Sequence, residues 1–138
     1  MPSYDTTYRN TRMDALTTAL GLLPVLKLYS SSAGSIPASV MTTPSSLNVL
    51  LAQVAITSSN FAPAASSGLL TANAFTTESA ADGTGTATYA RLCTSTGLAY
   101  AQFTCGSSVG NEIVMNTASV SSGAAVAVTS LTILEGNA

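Results

Sequence analysis

Between Thr86 and Cys105 the chain carries two runs rich in β-forming residues, Thr86–Thr94 and Leu98–Cys105, on either side of Ser95-Thr96-Gly97. A short connection ending in Gly between two such runs signals a hairpin, because Gly supplies the backbone conformation that a tight reversal needs. The rest of the chain repeats the theme. Val25–Tyr29, Leu47–Thr57, Leu69–Phe75, Glu112–Met115 and Ala125–Leu134 are short runs separated by Ser, Thr, Gly and Pro. In Leu47–Thr57, Leu50, Ala52, Val54 and Ile56 alternate with Leu51, Gln53, Ala55 and Thr57. In the last run Val126, Val128, Ser130, Thr132 and Leu134 alternate with Ala127, Thr129, Leu131 and Ile133. Period-two patterning in short segments predicts a mainly β fold, an antiparallel β-sandwich or barrel (jelly-roll-like). There is no internal repeat.

One segment departs from that period. Asp5, Thr6 and Thr7 are helix-start residues, Gly21 is a stop residue, and Met13, Leu16 and Leu20 recur at i, i+3 and i+7. This predicts one N-terminal α-helix over about residues 6–20 that buries its apolar stripe, with Arg9, Arg12 and Asp14 pointing elsewhere. The expected organisation is a single domain over 1–138: a tail at 1–7, the helix, and a β body over about 24–135. Residues 30–46, with Gly34, Pro37 and Pro44, form a loop longer than ordinary connections, a length associated with function or flexibility.

The hairpin also bears on the two cysteines, Cys93 and Cys105. With residues 95 and 96 in the turn, Cys93 faces Leu98 and Cys105 faces Thr86. The sulfurs are then roughly 20 Å apart at the rise of a strand, beyond the ~7 Å Cα separation that a disulfide tolerates. The expectation is two small buried thiols, in keeping with folding in a reducing cytoplasm.

Charge is scarce. Only 7% of residues are Asp, Glu, Lys or Arg, against roughly 25% in an ordinary soluble domain. Ser, Thr, Ala and Gly take their place, and the 46% hydrophobic content excludes a disordered composition. The four cations, Arg9, Arg12, Lys27 and Arg91, are too few and too scattered for a nucleic-acid footprint. Residues 28–77 and 113–134 carry no charge, yet both are rich in Ser, Thr, Asn and Gly, so no transmembrane segment is expected. Asp5, Asp14 and Lys27 interrupt what would be a signal peptide.

Catalytic groups are equally scarce. With no His there is no imidazole base and no Ser-His or Cys-His pair. Asp5, Asp14, Glu78, Asp82, Glu112 and Glu135 are dispersed along the chain, and Glu78 with Asp82 is too small a donor set for calcium. Gly83-Thr84-Gly85 lacks the Lys of a phosphate loop and reads as a turn. No catalytic, cofactor or metal residue is predicted. Arg91, in mid-strand, is expected on the solvent face or, alternatively, in an interface salt bridge.

Arg9-Asn10-Thr11-Arg12-Met13-Asp14-Ala15, Leu26-Lys27-Leu28-Tyr29-Ser30, Val49-Leu50-Leu51-Ala52, Gly68–Ala74, Ala80–Arg91, and Gly123 followed by Val126–Ile133 occur in an order that resembles small tailed-bacteriophage virion proteins, among them head decoration (cement) proteins. The resemblance runs from about Arg9 to Glu135, and its motifs are structural. It implies a non-enzymatic protein made in the host cytoplasm and carried on the phage head surface. There it would bind the major capsid protein lattice, as a homo-oligomer with a trimer favoured, and stabilise the head. The pair of Cys residues and the long loop after Tyr29 depart from the pattern. Two rival expectations are a tail or baseplate subunit and an adhesin-type binding module. The tail at Met1–Thr7, the helix and the 30–46 loop are the expected contact regions, and Tyr4 and Tyr8 are placed either on the body or on a neighbour.

Overall fold

The computed structural model describes residues 3–31 and 34–135. The fold is mainly β with one N-terminal helix. The helix, α1 (Thr6–Leu20), starts where Asp5 Oδ1 accepts the Thr7 N–H at 2.8 Å, which is the ordinary way a first-turn donor is satisfied. Leu20 is buried, and Met13 and Leu16 pack half-buried against the core. The tail of residues 1–7 lies partly outside the described residues; Ser3–Asp5 are exposed, and Thr6 and Thr7 belong to the helix.

Among the described residues nine strands follow: β1 (Val25–Ser30), β2 (Val49–Ala55), β3 (Leu69–Thr71), β4 (Gly85–Thr86), β5 (Tyr89–Cys93), β6 (Ala99–Gly106), β7 (Ile113–Met115), β8 (Ser119–Val120) and β9 (Val128–Leu134). Seven form one sheet in the order β2-β1-β5-β6-β7-β9-β3, and β4 pairs with β8. The chain beyond β3 returns to the far edge. Thr57 N–H donates to Ala74 O, Thr76 N–H donates to Ala55 O, both at 2.8 Å, and Ile56 bridges Phe75. The two edge strands are thus joined through their continuations, and that corner offers no free edge for another strand to pair with. All ladders are antiparallel except β6–β7, which is parallel. The six-residue return between them is held by Glu112, whose Oε2 accepts the Thr104 N–H at 2.8 Å. It is also held by Asn111, packed so close to Gly106 that a Cβ there would stand 2.6 Å from its Nδ2.

Three bulges coil the sheet, because an extra residue on one strand bends it and raises its twist. Leu51 is extra between Leu28–Ala52 and Tyr29–Leu50, Tyr100 between Leu92–Ala101 and Cys93–Ala99, and Thr129 between Val114–Ser130 and Met115–Val128. Each interrupts a strict alternation. Leu51 is buried beside Ala52. Along β9 and the residues leading into it, the inward set changes from Val126 and Val128 to Leu131 and Ile133. In the hairpin Cys93 faces Ala99 and not Leu98, and Cys105 donates its N–H to Thr88 O and does not stand opposite Thr86; on its other side it pairs with Ile113 of β7. The core is lined by Leu26, Leu28, Val54, Phe61, Leu70, Ala90, Leu92, Phe103, Ile113 and Leu131, all buried.

The helix is held by polar contacts as much as by its apolar stripe. Asp14 Oδ1 accepts the Ala65 N–H and Asn10 Oδ1 accepts the Gly68 N–H, both at 2.7 Å. Arg9 donates to the carbonyls of Ser67 (3.4 Å) and Glu135 (3.3 Å), and Arg12 ion-pairs with the Glu135 carboxylate. Arg9, Arg12 and Asp14 therefore point at the body and not away from it. The 65–68 turn and the end of β9 present backbone groups without strand partners, and the polar face of α1 satisfies them.

Candidate functional site

The outer face of β1, β5 and β6 is partly covered, which alternation alone does not foretell. β5 is buried on both faces. Inward it presents Ala90 and Leu92; outward, Tyr89, Arg91 and Cys93. Tyr89 stacks on its cross-strand partner Tyr29, with ring centroids 5.1 Å apart and planes 9° from parallel. Burial pushes both phenols above their ordinary titration range, most of all by excluding water from the charged form.

Arg91 is 5% exposed, so its placement on a solvent face is corrected. Within the chain it makes no salt bridge among the described residues. Its guanidinium donates from Nε to Gln102 Oε1 at 3.0 Å and from Nη2 to the carbonyl of Ser39 at 3.2 Å and to that of Thr42. Gln102 in turn donates to the Pro37 carbonyl at 2.8 Å. The loop after β1 is thus strapped over the hairpin by one cation that binds neutral oxygens. Desolvating a cation is costly, and the planar fork of Arg is suited to collecting several acceptors at once.

Between strap and sheet lies a groove of about 260 Å³, floored by Lys27, Tyr29, Arg91 and Cys93 and walled by Met41 and Leu98. Lys27 and Arg91 are direct cross-strand partners. Gly97, at φ +95°, passes over the end of Lys27: a Cβ there would stand 3.5 Å from Nζ. Burial raises the Cys93 thiol above its ordinary range, opposed by the fields of Lys27 and Arg91. Cys105 lies on the other face, in the core, where burial pushes it up to about 12. Both are buried free thiols.

The dispersed carboxylates are used locally. Asp5 caps α1, Asp14 holds Ala65, Glu112 holds Thr104, Glu135 pairs with Arg12, and Glu78 Oε1 accepts the Ala80 N–H at 3.2 Å. Glu78 and Asp82 flank a segment that pairs with Gly123–Val126 and then with Leu51. Among the described residues no three His, Cys, Asp or Glu stand together. Gly83 turns over the backbone of Leu50, where a Cβ would stand 2.6 Å from the carbonyl oxygen. No helix among the described residues is long and apolar enough to cross a membrane.

Large apolar side chains reach the surface singly at Val49, Leu69, Leu98, Tyr100, Val109 and Leu134, and in three groups. Tyr4 and Tyr8 lie together, centroids 5.3 Å apart, with the Arg12 guanidinium 5.8 and 5.9 Å from the two rings. Leu22 and Leu23 project from the turn after α1, Leu23 in the left-handed region at φ +54° and held by a bond from its N–H to Ser59 O. Ile36, Met41 and Leu47 project from the strap. No family model, no curated protein and no solved structure matches the chain.

Proposed function

We propose that this chain is a non-enzymatic structural subunit of a tailed-phage virion. In this reading it is a head decoration protein that binds the major capsid protein lattice as a trimer and stabilises the head. The observation that supports this best is where the charges go. Apart from Lys27 and Asp82, every ionised side chain is engaged in a hydrogen bond or ion pair inside the molecule. What remains outside is mostly hydroxyl, methyl and amide surface, with the exposed carboxylates Asp5, Asp82 and Glu112 widely spaced on it and Tyr4, Tyr8, Leu22, Leu23, Ile36, Met41, Leu47, Leu98, Val109 and Leu134 standing out from it. Tyr and Arg are the residue types that most often anchor protein interfaces, and a surface with little free charge repels neighbouring copies weakly. The resemblance from Arg9 to Glu135 points to the same class. Many small contacts repeated over a lattice combine into firm attachment without any single tight site.

The experiment is a comparison of purified heads with and without the protein under heating or osmotic shock. The reading predicts that heads lacking it release their contents at lower temperature, and that adding the protein back restores resistance. Equal resistance in the two preparations counts against it. Labelled copies lying along the tail would replace the head assignment with a tail one.

A further inference from the structure

We propose that the groove under the strap receives a carboxylate on an apolar arm, and that the occupant is an acidic side chain of a partner protein chain. Lys27 and Arg91 face each other across β1 and β5, and both line the groove. Like charges directly opposite on neighbouring strands destabilise a sheet. Here they do so on a half-covered face, where solvent screens them less than in open water. No Asp or Glu lines the groove, and the ion pair among the described residues, Arg12–Glu135, lies elsewhere.

Of the four cations in the sequence, Arg9 and Arg12 engage the end of β9 and the other two are set side by side. Arg91 is solvated by carbonyl and amide oxygens, and among the described residues the Lys27 ammonium makes no hydrogen bond or ion pair. An anion seated between them turns one repulsion into two attractions.

The walls and the size narrow the occupant further. Val40, Met41, Pro44 and Leu98 are apolar, so they favour an anion that arrives on a hydrocarbon stem over a compact, fully hydrated ion. The volume, about 260 Å³, falls below the roughly 300–1,000 Å³ of pockets that enclose whole small molecules, and it suits a side chain inserted from a docked surface. The protein-chain assignment rests on the structural-subunit reading. The carboxylate chemistry does not.

The test is an NMR titration of the full chain with hexanoate, with hexanamide and with inorganic phosphate, following the amides of Thr43, Gly97 and Ala99. It is repeated on Lys27→Met, which keeps the stem and removes the charge without breaking a bond in the structure. Hexanoate is expected to give saturable shifts confined to those amides. Hexanamide on the native chain, and hexanoate on Lys27→Met, are each expected to bind about tenfold more weakly, the loss of one modest charge-assisted contact. Hexanoate and hexanamide binding alike, phosphate binding more tightly than hexanoate, or no saturable shift would each overturn the proposal.

A second arm adds native and Lys27→Met protein to heads that lack it. Lower occupancy by the variant supports a protein carboxylate as occupant. Equal occupancy, with hexanoate binding intact in the native chain, overturns that assignment. A native chain that binds hexanoate but attaches to no particle refutes the subunit reading, and the protein-chain occupant with it, while leaving the groove chemistry standing.

Discussion

Replacing Arg91 by Met removes the strap's fastening while keeping a long apolar stem in the floor of the groove with Tyr29. Three donated bonds are lost, to Gln102 Oε1 and to the carbonyls of Ser39 and Thr42. At about 1.5 kcal/mol for each bond to a charged group, the gross loss is about 4–5 kcal/mol. Part of it is returned, because the variant no longer desolvates a cation at 5% exposure and relieves the repulsion with Lys27. The net expectation is about 2–3 kcal/mol.

That loss falls first on the loop, since the freed carbonyls recover water only when the strap lifts. Opening of residues 36–43 should then become roughly 30- to 150-fold more frequent, the same energy expressed as an equilibrium. Hydrogen exchange at Thr42, whose N–H donates to Ser39 O, reads the opening directly, and limited proteolysis within the loop reads it independently. Urea denaturation gives the global figure. A variant with native exchange at Thr42, native protease resistance and stability within about 0.5 kcal/mol of the original would refute the reasoning: the strap would be held by packing alone.

Other outcomes follow from the same geometry. Lys27→Met should raise stability by about 0.5 kcal/mol and Tm by about 2 °C, because it removes one of two like charges facing each other across the sheet; differential scanning calorimetry decides, and a fall in Tm contradicts the repulsion. Gly68→Ala should cost about 1–3 kcal/mol, since Gly68 sits at φ +73° with the Arg9 guanidinium over it; a urea midpoint unchanged from the native chain would show that the turn relaxes. Cys105 is protonated in the fold up to about 12 against an ordinary 9.0. The unfolded chain therefore holds fewer protons between those values, and stability present below pH 9 is lost as pH rises toward 12, by up to about 4 kcal/mol. Chemical denaturation across that range should show the decline, and Cys105→Ala should flatten it, leaving the smaller slope from Cys93, Tyr29 and Tyr89. A variant as alkali-sensitive as the native chain would assign the decline elsewhere.

The parts of the fold that local chemistry determines were readable from the residues. Asp5 and Gly21 bracket a helix because capping is a short-range matter, and Gly97 marks the hairpin because a left-handed turn residue is nearly always Gly or Asn. What was not readable depends on partners distant in sequence. The bulges at Leu51, Tyr100 and Thr129 leave no compositional trace, yet each shifts the strand that follows it relative to its neighbour. That is why Leu51 lies inside and why the inward set of β9 changes at Thr129. Arg91 misled for a related reason: a lone cation in a strand normally faces water, and nothing near residue 91 announces that residues 37–42 fold back over it. The groove exists because of that cover. The pairing of Lys27 with Arg91 required the sheet register, although an uncharged stretch from 28 to 77 already showed that no acid from the long loop was available to neutralise either one.

Mass spectrometry of purified phage particles, combined with a cryo-EM map of the head, tests the central claim most directly. The account predicts this chain in many copies per particle, in stoichiometric ratio to the major capsid protein, with density that fits the closed sheet and its N-terminal helix on the outer surface of the lattice. Particles free of the protein, with the chain recovered as a monomer that turns over a substrate, would contradict it.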